Sequence, residues 1–198
     1  MVSTAPASPV WVFAYGSLMW RPGFVYEACV RGYISGWARR FWQGSQDHRG
    51  VPGAPGRVVT LVPEDGARCW GLAYRIAGEA KDSVLAALDW RERGGYVRHR
   101  VGFVSADLAH QGGLETIVYV ADFQNPEFLG PAPLDQIAEQ VRCCQGPSGH
   151  NSEYVLSLAD CLEQLEMSDP HVAELARLVR TPSVTGDAAL SGQHRLVG

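Results

Sequence analysis

The sequence predicts an α+β fold in which a small, curved, largely antiparallel sheet closes toward a barrel with flanking helices. Two observations lead to this prediction. Apolar and polar residues alternate through most of the first half of the chain, as they do in strands whose two faces differ in exposure. One segment of helical periodicity interrupts the strands, and the chain after Pro133 is helical in character. Strands followed by helices are typical of the α+β class.

The first predicted strand is "WVFAY", in which the aromatic residues Trp11, Phe13 and Tyr15 alternate with smaller ones. The Pro- and Gly-rich loop "HRGVPGAPG" separates the next two strands, and a turn around Gly112–Gly113 joins the last two. The later strands are predicted over 32–45, 56–64, 68–77, 96–107 and 115–122.

Four helices are predicted. The first covers 81–93, where apolar residues recur at helical spacing and Gly94–Gly95 follows as a stop. Asn151 or Ser152 is expected to cap the third helix, and Pro170 to lie in the first turn of the fourth. The three later helices are predicted over 133–144, 151–165 and 169–180.

One domain is expected. With 198 residues, of which 46% are hydrophobic, the chain can bury a core without disulfides or a metal. We place the domain over 10–180, after a disordered N-terminus over 1–9 and before a flexible tail over 181–198.

Charge and cysteine content exclude several functional classes. The net charge is −4 and the arginines are scattered, so neither nucleic acid nor an anionic membrane is an expected partner. The five cysteines are odd in number and lack zinc-ligand spacing, which favours free thiols in a reducing compartment. The N-terminus lacks a secretory pattern, and no segment approaches the ~20 apolar residues of a membrane span. We expect a cytoplasmic monomer or weak homodimer.

The stretch "YGSLMWRPGF" breaks the first strand at a Gly-Ser pair. Gly16 could adopt a positive φ or let a ligand approach the backbone, and Ser17 adds a hydroxyl beside free N–H groups. An anion-binding turn is one interpretation. A plain turn is the other.

The stretch "DWRERGGYVRHR" offers a general acid/base. Glu92 ends the first helix beside Arg91 and Arg93, immediately before a flexible Gly-Gly pair. The alternative is a solvated Glu in a surface charge cluster. Asp89 is the rival carboxylate, three positions earlier.

The loop "GPSGHNSEY" leads into a helix and could place N–H groups near an anion, or it could be a simple connector. Cys143–Cys144 with His150 could suggest a thiol nucleophile, although adjacent cysteines late in an amphipathic helix are usually packing residues. His48 and His99 lack partners at ligand spacing, so no metal site is predicted.

Several of these segments together resemble the ChaC family, the glutathione-specific γ-glutamylcyclotransferases, in order from about Val10 to about Arg180. The stretches that carry the resemblance are "VFAYGSLMW", "RRFWQGSQDHRGVPGAPGRVVTLVP", "WGLAYRI", "LDWRERGGY", "NPEFLGPAPLDQIAEQ" and "GPSGHNSEYVLSLA". The resemblance implies a cyclotransferase-type α+β fold on a small barrel-like sheet. This chain departs from the family pattern at Ala14, where glycine is common before "YGS", and at His150, where arginine is common.

The resemblance also implies site residues. The catalytic glutamate of the family falls in its "REKGGY" block, which here is "RERGGY" and therefore Glu92. The substrate would lie at the "YGSL" turn, with Tyr154 as a positioning residue. The implied substrate-binding residues are Val12, Phe13, Ala14, Tyr15, Gly16, Ser17, Leu18 and Tyr154.

The implied reaction is cleavage of glutathione to 5-oxoproline and cysteinylglycine. The α-amine of the substrate attacks its own γ-carbonyl, so the enzyme needs no nucleophile, metal or cofactor, and one carboxylate can move the proton. Two alternatives remain open at this point. The chain could cyclise other γ-glutamyl amino acids or amines, or it could be a non-catalytic binding or regulatory relative.

Overall fold

The computed structural model describes residues 7–106 and 113–181, and its main feature is a closed five-stranded barrel. The strands follow the order β1-β3-β2-β4-β5 around the barrel. All neighbouring pairs are antiparallel except β1 and β5, which run parallel and meet at Val12 and Ile117. The strands are β1 (Val10–Ala14), β2 (Ala28–Ser45), β3 (Gly56–Ile76), β4 (Val97–Ser105) and β5 (Leu114–Val120).

In the described part of the chain, four α-helices flank the barrel, as predicted. A two-stranded ribbon separates the second from the third, and single 3-10 turns cover Ser17–Met19 and Gly78–Ala80. The helices are α1 (Lys81–Arg91), α2 (Leu134–Cys143), α3 (Asn151–Gln164) and α4 (Pro170–Arg180), and the ribbon consists of β6 (Gln145–Gly146) and β7 (Gly149–His150).

The strands predicted over 56–64 and 68–77 are one continuous strand, β3, so the predicted break between them is wrong. The polar stretch that suggested the break is exposed on a bulged part of β3. Gly36 and Gly66 both take positive φ there, at +79° and +76°, and the register shifts before pairing resumes between Trp37 and Pro63.

The barrel interior is filled by aromatic side chains. The rings of Phe13 and Phe103 lie 5.8 Å apart between their centroids, and both residues are essentially inaccessible to solvent. Gly32 and Gly71 face each other across β2 and β3. A Cβ on either glycine would overlap one of these rings, so the small residues make room for a packed core.

A buried ion pair attaches the helices to the barrel. Arg39 of β2 lies 2.6 Å from the Asp169 carboxylate, which also caps α4 by accepting from the Val172 N–H. The Arg39 Nε donates to the Tyr15 carbonyl at 2.7 Å. Arg39 therefore connects the start of α4 with the end of β1, where the first candidate motif begins.

The cap expected at α3 is not formed. Asn151 lies inside the helix and is fully buried. Its side-chain amide bonds both the N–H and the carbonyl of Arg57, at 2.6 and 2.7 Å. The Asn151 amide thus fastens α3 to β3, and this use prevents it from capping its own helix. Pro170 occupies the first turn of α4, as predicted.

All five cysteines lie in the described part of the chain and are free thiols, as expected. Among the described helices, none is both long enough and apolar enough to cross a membrane. The segments predicted to be disordered or flexible, 1–9 and 181–198, fall largely outside the described residues, as does Gly112 of the predicted turn.

Candidate active site

A cavity of about 380 Å³ opens at one end of the barrel. Six segments that are distant in the sequence contribute to its wall: the turn after β1, the loop after β2, the stretch from the end of α1 to Tyr96, the loop after β5, the turn between β6 and β7, and the first turn of α3. The lining residues that bear on chemistry are Tyr15, Gly16, Ser17, Leu18, Asp47, His48, Arg49, Arg91, Glu92, Tyr96, Glu127, Ser148 and Tyr154.

The "YGSL" motif lies in this wall as a 3-10 turn. The Met19 N–H donates to the Gly16 carbonyl at 2.9 Å, and the Arg21 N–H donates to the Ser17 carbonyl at 2.9 Å. The N–H groups of Ser17 and Leu18 precede the first bonded N–H of the turn, and such groups have no partner within the turn. Both residues line the cavity.

Gly16 does not take the positive φ that its position suggested; its φ is −128°. Its small size matters for another reason. A Cβ on Gly16 would lie 2.9 Å from Val59 Cγ2 and 3.0 Å from the Tyr154 hydroxyl oxygen. Close approach of neighbouring side chains, rather than left-handed backbone, is thus what favours glycine here.

Glu92 caps the C-terminal end of α1, and its side chain is 17% exposed in the cavity wall. Burial raises the pKa of this carboxyl, the guanidinium of Arg91 opposes the rise, and the charge of Asp47 adds to it. Glu92 is therefore a largely buried carboxyl at a cavity. The alternative interpretation, a solvated residue of a surface charge cluster, is wrong.

Arg91 connects Glu92 to the "YGSL" turn, a role that the sequence analysis missed. Its Nη2 donates to the Ser17 hydroxyl at 2.8 Å and its Nη1 to the Arg21 carbonyl at 2.8 Å. Its Nε lies 3.6 Å from a Glu92 carboxylate oxygen. One guanidinium thus orders the turn and places positive charge next to the acid.

Asp89, the rival carboxylate, faces away from the cavity. Slight burial raises its pKa, but hydrogen bonds from Arg98 and Tyr119 lower it by more, so the net shift is downward. Asp89 is held ionised against the outside of the barrel, which suits an ion pair and not proton transfer.

Four tyrosines line the cavity, and one of them, Tyr119, donates its hydroxyl to Asp89 outside it. The Tyr15 hydroxyl donates to the Tyr119 carbonyl at 2.7 Å and the Tyr96 hydroxyl to the Val59 carbonyl at 3.0 Å, so both are occupied in the wall. Tyr154 is 7% exposed and packs edge-on against Trp20, with ring centroids 5.5 Å apart. Burial raises the pKa of Tyr154 and keeps it a neutral phenol.

The structure brings together most, but not all, of the residues that the resemblance implied. Phe13, Tyr15 and the Gly16–Leu18 turn line the same cavity as Glu92 and Tyr154. Val12 and Ala14 are fully buried in the barrel wall and do not line it.

Two loops complete the cavity through contacts that local sequence patterns could not predict. The ring nitrogen Nδ1 of His48 lies 3.1 Å from the Ser148 hydroxyl, and the Ser148 N–H donates to the His48 carbonyl. Arg49 is 7% exposed; its guanidinium donates to the His150 carbonyl at 2.8 Å and lies over the Tyr154 ring. The "GPSGHN" loop thus closes the site by pairing with the loop after β2.

The adjacent cysteines do not form a nucleophilic site. Cys144 donates to the Pro55 carbonyl at 3.3 Å, burial raises the pKa of its thiol, and neither cysteine lines the cavity. Within residues 7–106 and 113–181, no three His, Cys, Asp or Glu side chains are arranged to hold a metal ion. The expected absence of a metal or cofactor stays a prediction.

The profile of the ChaC-like protein family matches residues 10–182, most of the chain. This chain belongs to the ChaC-like family. Glutathione-specific gamma-glutamylcyclotransferase 1 of Danio rerio is 43% identical over 172 residues, covering 85% of this chain and 87% of the relative. The glutathione-specific gamma-glutamylcyclotransferase of Schizosaccharomyces pombe is 38% identical over 200 residues, covering 91% and 97%.

Solved structures agree with the fold. The crystal structure of a yeast gamma-glutamyl cyclotransferase specific to glutathione superposes with a TM-score of 0.82 at 30% identity, covering 87% of this chain and 96% of the other. A gamma-glutamyl cyclotransferase of only 16% identity superposes with a TM-score of 0.52 and shows a likeness of fold alone. The predicted α+β, barrel-based cyclotransferase fold is confirmed.

Proposed function

We propose that this chain is a γ-glutamylcyclotransferase that cleaves glutathione into 5-oxoproline and cysteinylglycine. The observation that carries the proposal is the meeting of Glu92 and the Gly16–Leu18 turn at one cavity. Relatives that share about two fifths of the sequence carry the name glutathione-specific gamma-glutamylcyclotransferase. The cavity volume also falls in the range of small-molecule sites, roughly 300–1,000 Å³.

In this proposal the substrate supplies its own nucleophile. The α-nitrogen of the glutamyl group attacks the γ-carbonyl carbon, a C–N bond forms, and the amide C–N bond to cysteine breaks. Glu92 takes a proton from the α-amine and delivers it to the departing amide nitrogen. A carboxyl whose pKa is raised toward neutrality is better suited to give the proton back than an exposed one.

In this proposal the turn and Arg91 stabilise the negative charges of the substrate. The N–H groups of Ser17 and Leu18, with the Ser17 hydroxyl, are available to the glutamyl carboxylate or to the oxyanion that forms on the γ-carbonyl. Holding amine and carbonyl in attack geometry supplies much of the acceleration, since oriented intramolecular reactions reach effective molarities on the order of 10⁵ M or more.

The charges around the cavity suit a zwitterionic substrate. Asp47 and Glu127 join Glu92 as acidic groups, while Arg49 and Arg91 contribute positive charge. Glutathione carries one ammonium and two carboxylates, so both signs have a counterpart in the wall. The cytoplasmic location and the monomeric or weakly dimeric state stay predictions.

The test is to incubate the purified protein separately with glutathione and with γ-glutamyl-alanine and to measure 5-oxoproline. We expect release from glutathione with the higher kcat/KM. A clear preference for γ-glutamyl-alanine would move the protein to cyclotransferases of other γ-glutamyl compounds. Release from neither substrate would support the non-catalytic alternative.

A further inference from the structure

The segment "NPEFLGP" follows β5 and contributes Glu127 to the cavity wall, but the reaction proposed above assigns no task to Asn125. It begins in a turn in which the Asn125 N–H donates to the Asp122 carbonyl and the Phe128 N–H to the Asn125 carbonyl. Asn125 is only 8% exposed although it lies in a loop. A buried polar side chain in a loop needs hydrogen-bond partners, and those of Asn125 come from two other parts of the chain.

The side chain of Asn125 joins three segments. Its Nδ2 donates to the Gly94 carbonyl at 2.8 Å. Its Oδ1 accepts from the Glu127 N–H at 2.8 Å and from the Nε2 of Gln43, in strand β2, at 3.3 Å. The amide therefore connects the barrel wall to the turn that begins two residues before Gly94, at Glu92.

This turn has little packing of its own. Arg93, Gly94 and Gly95 bring no apolar side chain to the core, and the Arg93 guanidinium lies over the exposed Trp90 ring. Gly95 takes a φ of +85°, and a Cβ there would overlap the Asn125 amide. The backbone thus passes directly against the Asn125 amide, which bonds it from the side of the loop after β5.

Gln43 of strand β2, which bonds to Asn125, also indicates that Asn125 has a specific role. It is fully buried in the barrel wall, and its Oε1 has no hydrogen-bond partner among the described residues. An unpaired buried carbonyl destabilises the folded state, so an apolar residue would suit stability better. The hydrogen bond from the Gln43 Nε2 to Asn125 explains why a polar side chain is present at this position.

We propose that Asn125 is a positioning residue that fixes the Gly94–Gly95 turn and thereby holds the Glu92 carboxyl in the cavity. The inference rests on the role of Glu92 in the proposed function. Proton transfer between two substrate nitrogens requires the carboxyl to stay within hydrogen-bond reach of both. A displacement of about 1 Å can cost on the order of 10²-fold in rate.

Asn125→Ser is the test variant. The shorter Ser hydroxyl can still accept from the N–H two residues later, so the local turn is kept, while the bond to Gly94 is lost. We expect kcat to fall by about 10–10²-fold with KM changed less than about threefold. The acidic limb of the kcat profile should move to lower pH, because a Glu92 that moves toward water loses the burial that raises its pKa.

Asn151→Ser is the matched control. Asn151 is another buried asparagine whose amide bonds backbone groups, but its partner is Arg57. We expect it to lower the Tm while the acidic limb stays at the wild-type pH. If the two variants have the same kcat and the acidic limbs of their kcat profiles lie at the same pH, Asn125 is structural only and the proposal is overturned.

Hydrogen exchange of the amides at 93–96, in the full chain, gives a readout that does not depend on turnover. Exchange should be faster in Asn125→Ser than in Asn151→Ser; equal exchange overturns the proposal. If the wild-type protein releases no 5-oxoproline, the proposed function fails while the exchange result still decides on Asn125. If Asn125→Ser does not fold, Asn125→Asp replaces only the donor to Gly94, and the same exchange comparison applies.

Discussion

Replacement of Glu92 by Gln should reduce activity and increase stability. Gln keeps the size of the side chain but cannot transfer a proton, and loss of general acid/base catalysis costs about 10²–10⁴-fold in rate. At 1.36 kcal/mol per tenfold change, this corresponds to about 2.7–5.4 kcal/mol of transition-state stabilisation. We expect turnover of at most about a hundredth of the wild-type value.

The stability change follows from the pKa of Glu92. Burial raises this pKa in the folded state, so the folded protein binds the proton more tightly than the unfolded chain. Stability therefore falls as pH rises from the ordinary Glu value, about 4.3, through the folded-state value. At neutral pH the ionised carboxyl destabilises the fold. The neutral Gln removes this cost, and the Tm should rise.

Asp89→Asn is the matched control, because the same chemical change at Asp89 should lower stability and leave turnover nearly unchanged. Hydrogen bonds from Arg98 and Tyr119 hold the Asp89 carboxylate ionised, and this pair is lost in the variant. The pair is exposed, so the Tm should fall by an amount that corresponds to only about 0.2–1 kcal/mol. Turnover should stay within about threefold of wild type.

Steady-state release of 5-oxoproline and thermal unfolding at pH 7 measure the two effects. The reasoning fails if Glu92→Gln retains more than about a tenth of wild-type turnover, since that is too small a loss for an essential proton carrier. It also fails if Glu92→Gln lowers the Tm, because the carboxyl would then stabilise the fold and its pKa could not be raised.

The remaining predictions concern the turn and the pH profile. Gly16→Val should abolish binding of a non-reacting glutathione analogue in calorimetry, since its Cβ would meet Val59 and Tyr154 at about 3 Å; unchanged affinity in a folded variant would make "YGSL" a plain turn. Ser17→Ala should weaken binding by only about 0.5–1.5 kcal/mol in the same assay. The acidic limb of kcat/KM in the wild-type protein should lie above the ordinary Glu pKa, and a limb near 4 would contradict a buried Glu92.

The fold was largely predictable because its signals are local. Alternation identified the strands, and helical spacing identified α1 to α4. The error at β3 has a physical cause: a bulged strand can carry exposed polar residues where Gly36 and Gly66 take positive φ, and in the sequence such a stretch is indistinguishable from a turn. The use of Asn151 to fasten α3 to β3 was unpredictable for a related reason, since its partner Arg57 is 94 positions away.

The candidate site was predictable only in part. Glu92 and the Gly16–Leu18 turn have distinctive surroundings in the sequence, whereas Arg49, Glu127 and Asn125 are ordinary loop residues until the barrel brings their loops together. Their contacts are long-range, and periodicity within one segment carries no information about which loops will meet.

Helix α1 nevertheless contains a signal that separates its charged residues. Leu88 is buried on the face of α1 that packs on the core. Residues three and four positions after it, Arg91 and Glu92, continue that face, because such spacing returns to the same side of a helix. Asp89 is exposed, and so is Arg93 in the turn that follows α1. Arg91 and Glu92 lie nearest in helical phase to Leu88 and line the cavity, whereas Asp89, roughly 100° around the helix from Leu88, does not.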